Sequence, residues 1–258
     1  MHLEAIHVYK QFQTRQGSLM ALKDINMHIE TGEFVGAVGT SGSGKSTLLR
    51  LIAGLETPTT GKIKVDGAEV IGPGADRGVV FQNYTLYPWM TAMDNVGFGL
   101  KLQGIKPKER RVRVKEYLEV VGLSQFTNAY PKELSGGMKQ RVAIARALAC
   151  HPKVLLMDEP FGALDIQTKA SMQEFILELW QRLGITIFMI THDVEEAVFL
   201  SQRVYVMTPR PGQIQRELSI NLPLNRDHSI KRHSTFQDYK DIIVDLLSGR
   251  NVATSNSD

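Results

Sequence analysis

The sequence predicts an α/β fold: a predominantly parallel sheet with helices between its strands, a strand-rich N-terminal region, and a helical insertion at about residues 90–150. Three observations carry that prediction. Short apolar runs, Val154-Leu-Leu-Met157 and Ile185 to Ile190 among them, read as strands buried on both faces. Segments with apolar residues at helical spacing alternate with those runs, as at Met172, Phe175, Leu179 and Leu183. From about Met93 to Ala149 the pattern is helical throughout.

Element by element, Leu3 to Val8 opens the chain as a strand. Leu22, Ile25, Met27 and Ile29 then alternate loosely, and Phe34 to Val38 forms a third strand. Pro58, Gly61, Gly67, Gly72, Pro73 and Gly74 punctuate short strands at Lys62 to Val65 and Val79 to Phe81. Pro107 sits where a helix starts, and Val112, Val114, Leu118 and Val121 follow at helical intervals. A helix from about Ile166 to Leu183, a short helix from Val194 to Leu200 and a last strand from Arg203 to Met207 complete the pattern. Beyond Pro209 lie an amphipathic piece, Tyr239 to Leu247, and a polar tail, Asn251 to Asp258, expected to be mobile. A main domain at about 1–220 with a short extension at 221–258 is the expected organisation.

Composition excludes several classes. With 258 residues, 43% apolar and 22% charged, the chain reads as globular, not disordered or fibrous. A net charge of +3 is too mild to argue for nucleic acid, and the basic cluster Lys106 to Lys115 reads as a solvated helix face. Cys150 is the sole cysteine, which rules out an internal disulfide and suits a reducing compartment. The N-terminus shows no secretory pattern, and no run of about 18 apolar residues occurs, so a cytosolic chain that does not itself span a membrane is expected.

The chemistry starts after the third strand. Phe34 to Val38 runs into Gly39, Thr40, Ser41, Gly42, Ser43, Gly44, Lys45, Ser46 and Thr47, and then into the apolar helix pattern Leu48 to Ala53. That is the P-loop spacing between a strand and a helix. Glycines let backbone N–H groups converge on phosphate oxygens, and the helix start adds its positive end. Lys45 supplies a charge for the β- and γ-phosphates, and the Ser46 hydroxyl can ligate Mg²⁺.

Two further motifs join it. The strand Val154 to Met157 ends in Asp158-Glu159-Pro160, which puts a carboxylate at a strand's C-terminal end, where it can hold Mg²⁺ through water. Glu159 beside it could polarise an attacking water. Leu134-Ser-Gly-Gly-Met-Lys-Gln-Arg141 opens a helix in which Ser135 is a good N-cap, and Gly136 and Gly137 expose the first backbone N–H groups. It is a second helix start suited to an anion.

With Gln82, Ala163-Leu-Asp165 and Thr191-His192-Asp193, these motifs resemble, in order, the ATP-binding cassette (ABC) ATPase family over about residues 3–215. The resemblance implies a P-loop NTPase core, an antiparallel N-terminal β subdomain and an inserted α-helical subdomain. It implies ATP and Mg²⁺ as ligands and two ATPase domains paired head-to-tail. In that pairing each Ser135–Gly137 segment would meet the γ-phosphate held by the partner's loop. Phe12 would stack on adenine, with Tyr9 the weaker candidate. Gln82 would sense Mg²⁺ and the attacking water, Glu159 would be the general base, Asp165 would lie across the dimer seam and His192 would contact the γ-phosphate. Met138 stands where the family most often has Gln, which should adjust the seam without loss of activity. The other histidines show no metal-ligand spacing, and Cys150 should be inert.

A single cassette with neither a long coiled coil nor a guanine-reading segment resembles the ATPase subunit of a bacterial importer. Soluble family members acting on nucleic acid or in translation are the alternative. The aromatic stretch Gln82-Asn-Tyr-Thr-Leu-Tyr-Pro-Trp-Met90 could bind a partner's helix. Expected partners are transmembrane permease subunits, a second ATPase subunit and, indirectly, a periplasmic or lipid-anchored solute-binding protein; no nucleic acid is expected. The expected place is the cytoplasmic face of the inner membrane, as a peripheral subunit. Gly162 to Asp165, Met207 to Ile214 and Leu222 to Arg226 resemble importer ATPases for nitrate, sulfonate, taurine or bicarbonate, with an importer of a thiamine precursor or another small solute as the alternative.

Overall fold

Strand and helix alternate as the apolar pattern requires. The computed structural model describes residues 1–15 and 17–250; the polar tail at 251–258, expected to be mobile, lies outside the described residues. In chain order the elements are β1 (Leu3–Thr14), β2 (Gly17–Ile29), β3 (Phe34–Gly39), α1 (Lys45–Ile52), β4 (Thr60–Val65), β5 (Ala68–Glu69) and β6 (Arg77–Val80). Then come α2 (Ala92–Leu102), α3 (Pro107–Val120), α4 (Gly136–Leu148), β7 (Val154–Asp158), α5 (Ile166–Leu183) and β8 (Thr186–Thr191). The chain continues through α6 (Val194–Leu200), β9 (Arg203–Met207), β10 (Ile214–Ser219) and α7 (Ser234–Leu247), with 3₁₀ turns at Ser124–Phe126, Pro131–Glu133 and His228–Arg232. Two compact units divide the chain: Met1–Gly72 together with the residues from Phe188 onward, and Pro73–Ile187.

The first unit holds an antiparallel sheet of order β2-β1-β4-β5. The β1–β2 hairpin runs beyond Val8 to Thr14↔Gly17. Its outer half is partly or fully exposed, so it carries no apolar alternation by which it could be read. The second set of strands in this unit has the order β10-β9-β3-β8. β3 and β9 are parallel, from Val35↔Arg203 to Gly39↔Met207, and both are buried along their length. β10, antiparallel to β9, was not expected: Ile-Gln-Arg-Glu-Leu-Ser is mostly polar because it is an edge strand with exposed side chains. Arg203 pins that edge. Burial opposes its charge, but hydrogen bonds to Glu33 and Glu217 outweigh the cost and hold its pKa above the ordinary guanidinium value.

The second unit contains the parallel pair β6–β7, Arg77↔Val154 to Val80↔Met157, and the helices α2 to α5. Val96, Leu100, Val114, Leu118, Val142 and Ala145 bury one shared core between α2, α3 and α4. Each of the valine and leucine side chains contributes about 1.5–3 kcal/mol by leaving water. Val112 is exposed, one helical step off that face. On α5 the buried face is Met172, Ile176, Leu179 and Trp180. Leu183, expected in the core, is exposed because the helix ends immediately after it at Gly184, φ +60°. Among the described residues no helix is long and apolar enough to cross a membrane.

Candidate functional site

The loop after β3 is shaped by its glycines. Gly42 and Gly44 take φ of +79° and +90°, values that side chains with a Cβ rarely adopt. A Cβ on Gly39 would stand 2.7 Å from Ser43 Oγ, and one on Gly44 would stand 2.6 Å from Leu22 Cδ2. Gly44 is the N-cap of α1 and no side chain caps that helix, so its first turn presents backbone N–H groups at the loop. Ser43 and Lys45 are buried, and Thr40, Ser41, Gly42 and Ser46 are exposed.

Lys45 folds over this loop. Its Nζ donates to the carbonyls of Gly39 (2.7 Å) and Thr40 (3.1 Å). The buried cation therefore faces carbonyl oxygens, the arrangement in which an incoming phosphate would be the stronger acceptor. A second wall comes from the segment after β9, whose role the sequence did not reveal. Gly212 exchanges hydrogen bonds with Ala21 and Lys23, and a Cβ there would stand 2.0 Å from the Ser43 carbonyl oxygen. An Arg210 guanidinium nitrogen lies 3.5 Å from where a Cβ on Gly42 would be. In the same unit Phe12 lies half-buried on β1 with Lys10 Nζ 4.8 Å from its ring centre.

His192 occupies the turn between β8 and α6, with its side chain exposed. That turn is tied from within. Thr191 Oγ1 donates to the buried Glu196 carboxylate (2.5 Å), and Asp193 caps α6 by accepting from the backbone of Glu195 and Glu196. Outside the turn, Glu195 accepts from Lys240 of α7 at 2.8 Å and pairs with Lys231 at 3.5 Å. The Lys240 hydrogen bond holds the Glu195 carboxyl below the usual range. Its contribution is thus full above the unfolded glutamate value and fades as pH falls through the depressed one. Lys240→Ala is expected to cost under about 1 kcal/mol at neutral pH, since the pair is partly exposed. Urea unfolding should show that difference shrink towards zero as pH falls through the depressed Glu195 value.

The second unit supplies the acidic and signature residues. Asp158 ends β7, and Glu159 follows with φ +44°, a left-handed backbone that is costly for a non-glycine residue and clusters at functional turns. Gln82 faces the same turn: its Nε2 lies 3.1 Å from where a Cβ on Gly162 would stand. Ser135 caps α4 by accepting from the Met138 N–H at 3.3 Å. Gly136 and Gly137 let the start of α4 approach the start of α5, because Cβ atoms there would lie 3.3 Å from Leu164 and 2.9 Å from Thr168. Asp165 caps α5 by accepting from the Thr168 N–H and Oγ1, bonds that hold its carboxyl below the usual range. In this unit the structure thus brings Gln82 to the Glu159 turn and the Ser135–Gly137 start to the Asp165 turn.

A family model described as ABC transporter matches residues 22–162, more than half of the chain. The chain belongs to the ABC transporter family. The nitrate import ATP-binding protein NrtD of Synechocystis is 67% identical over 256 residues, covering 97% of this chain and 96% of its own. The taurine import ATP-binding protein TauB of Burkholderia pseudomallei is 46% identical over 241 residues, covering 92% and 93%. Among solved structures, the dimeric ATP-binding cassette MJ0796 bound to ADP and Pi is 35% identical, with a TM-score of 0.74 over 86% of this chain and all of the other. The protein is an ABC ATPase cassette.

Other residues of the cassette fall into place as structure. His2 bonds Asp66, His28 accepts from Arg203, and His228 stacks on Phe199 with ring centres 4.6 Å apart. Burial pushes the Cys150 thiol up, which suits an inert cysteine. Trp89 is 70% exposed and so does not fill the core of the helical insertion.

Proposed function

We propose that this ABC cassette binds and hydrolyses ATP at the cytoplasmic face of the inner membrane, as the peripheral ATPase of an importer for a small anion, nitrate first. The observation that carries the nucleotide reading is the glycine-shaped loop that leads into an uncapped α1 with Lys45 folded over it. The 67% identity to a nitrate import subunit over nearly the whole chain supports the cargo, and the taurine relative keeps other small anions in the same class. The main domain spans about 1–220, followed by the extension at 221–258.

Each residue then has a task. Backbone N–H groups of Gly39 to Thr47 and the Lys45 ammonium bind the phosphates, and Phe12 stacks on the adenine. Ser46, Asp158 and Gln82 offer hard oxygen donors, the set that suits Mg²⁺. Bound there, Mg²⁺ would neutralise charge building on the phosphate oxygens. Glu159 accepts the proton of the attacking water, Gln82 orients that water, and His192 hydrogen-bonds the γ-phosphate. Ser135, Gly136, Gly137 and Asp165 act on the nucleotide of a second cassette, so closure of the pair depends on ATP. Its products part the pair again, since hydrolysis severs the γ-phosphate from the rest of the nucleotide.

Permease docking falls to the helical insertion. A cleft of about 560 Å³ there is lined by Met90, Met93, Phe98 and Val114, with Lys101 and Arg110 at its polar side. Trp89 stands exposed beside this run of residues. Trp89→Ala is expected to weaken recovery of the permease by co-purification while ATP binding by the subunit stays unchanged. Recovery of nucleic acid in place of a membrane partner would overturn the importer reading. Nitrate-dependent ATP turnover by the reconstituted complex, absent with taurine, tests the cargo.

A further inference from the structure

The segment from Gln82 to Thr91 is held in place by two side chains. At one end, Arg146 of α4 donates to the carbonyls of Tyr84 (3.0 Å) and Thr85 (2.8 Å) and to Thr85 Oγ1 (2.9 Å). At the other, the fully buried Asn95 accepts from the Tyr87 N–H (2.8 Å) and donates to the carbonyls of Tyr87, Met90 and Thr91. Between them the Tyr87 ring lies 5.9 Å from the Arg146 guanidinium, 4.7 Å from Phe98 and 5.7 Å from Trp89.

Two features make the Arg146 end more than ordinary packing. Tyr84 and Thr85 both have left-handed backbones, φ +56° and +48°, and Thr85 is β-branched, so the turn is unfavourable by itself. Arg146 meanwhile has no carboxylate partner among the described residues, and burial lowers its pKa. Loop carbonyls and the Tyr87 ring are what compensate its charge. If the turn relaxed, a half-buried cation would lose its acceptors, so the turn and the guanidinium hold or release together. The Tyr84 hydroxyl is buried without a hydrogen-bond partner, 3.7 Å from where a Cβ on Gly136 would stand. The turn therefore also abuts the Ser135–Gly137 helix start.

We propose that Arg146 is a positioning residue that makes the 82–91 segment one rigid lever, so that the Gln82 side chain and the exposed Trp89 ring move together. This rests on the reading of Gln82 as the water-orienting group and of Trp89 as partner-facing. The lever joins the Glu159 turn, where Gln82 sits, to the surface that carries Trp89.

The test needs no permease. Trp89 and Trp180 are the only tryptophans, so Trp180→Phe leaves Trp89 as the single reporter. In that background Mg·ATP should shift Trp89 emission. Arg146→Lys keeps the charge but cannot fork onto two carbonyls. It should abolish most of that shift and lower kcat about 10-fold through misplacement of Gln82, with KM and fluorescent-ATP affinity within about twofold of the reference. Arg146→Met, which removes all three loop hydrogen bonds without leaving an uncompensated charge, should give the same loss in a well-folded protein, and stands in if the lysine variant does not fold. An unchanged emission shift in these variants would overturn the proposal. So would a reference protein that binds ATP normally with no Trp89 response, an outcome that leaves the ATPase reading intact. Failure of the reference to bind ATP would overturn both.

Discussion

Glu159→Gln is expected to lower ATP turnover by about 10²–10⁴-fold, the usual worth of a general base, while ATP binding survives. Glutamine keeps the size and hydrogen-bonding reach of the side chain but cannot accept the water's proton. The turn should tolerate it. Its left-handed φ of +44° penalises Gln and Glu alike, and the Gly162 N–H to Glu159 carbonyl bond, 3.2 Å, uses backbone atoms only. Lys45, Ser46 and the loop around them are untouched, so the nucleotide should still be gripped. With hydrolysis blocked, the ATP-bound pair should accumulate as a dimer on size-exclusion chromatography with ATP and Mg²⁺, and should be missing with ADP. Wild-type turnover by this variant would assign the proton to another group.

Which parts could be read in advance follows from how local their causes are. The loop at Gly39 to Thr47 was legible because its backbone needs glycine at fixed positions, and Gly42 and Gly44 stand where φ is positive. The capping role of Ser135 was legible, since a cap answers to the next three residues, whereas Asp165 was read only as a residue of the dimer seam and not as the cap of α5. Arg146 was not. Its acceptors are main-chain carbonyls of Tyr84 and Thr85, about sixty residues earlier, and in the sequence it is one more cation on a helix. The strained φ values of Tyr84, Thr85 and Glu159 were equally hidden, because glycine did not mark them. Gly212 was not legible. Its close approach to the Ser43 carbonyl is a fact of tertiary structure. β10 escaped because an exposed edge strand carries polar residues on both faces, which is the texture of a loop.

Lys45→Ala should weaken ATP binding by about 10–100-fold, the worth of charge-assisted hydrogen bonds of about 1.5–3 kcal/mol. The ammonium is buried and already oriented by the Gly39 and Thr40 carbonyls, so little side-chain freedom is lost when phosphate arrives. Part of the cost is an exchange: Nζ must trade carbonyl acceptors for phosphate oxygens, which carry full charge and win the competition. The loop itself should hold in the variant, since its shape comes from glycine backbone angles, the Gly212 contact and the Leu48 N–H to Gly44 carbonyl bond, 2.9 Å. AMP separates the two ways Lys45 could act. It lacks the β- and γ-phosphates, so its affinity, measured by calorimetry at fixed salt, should be nearly the same for wild type and variant. ATP should lose affinity and AMP should not. Equal losses for both would mean that Lys45 works by holding the loop's shape, and the phosphate assignment would be wrong.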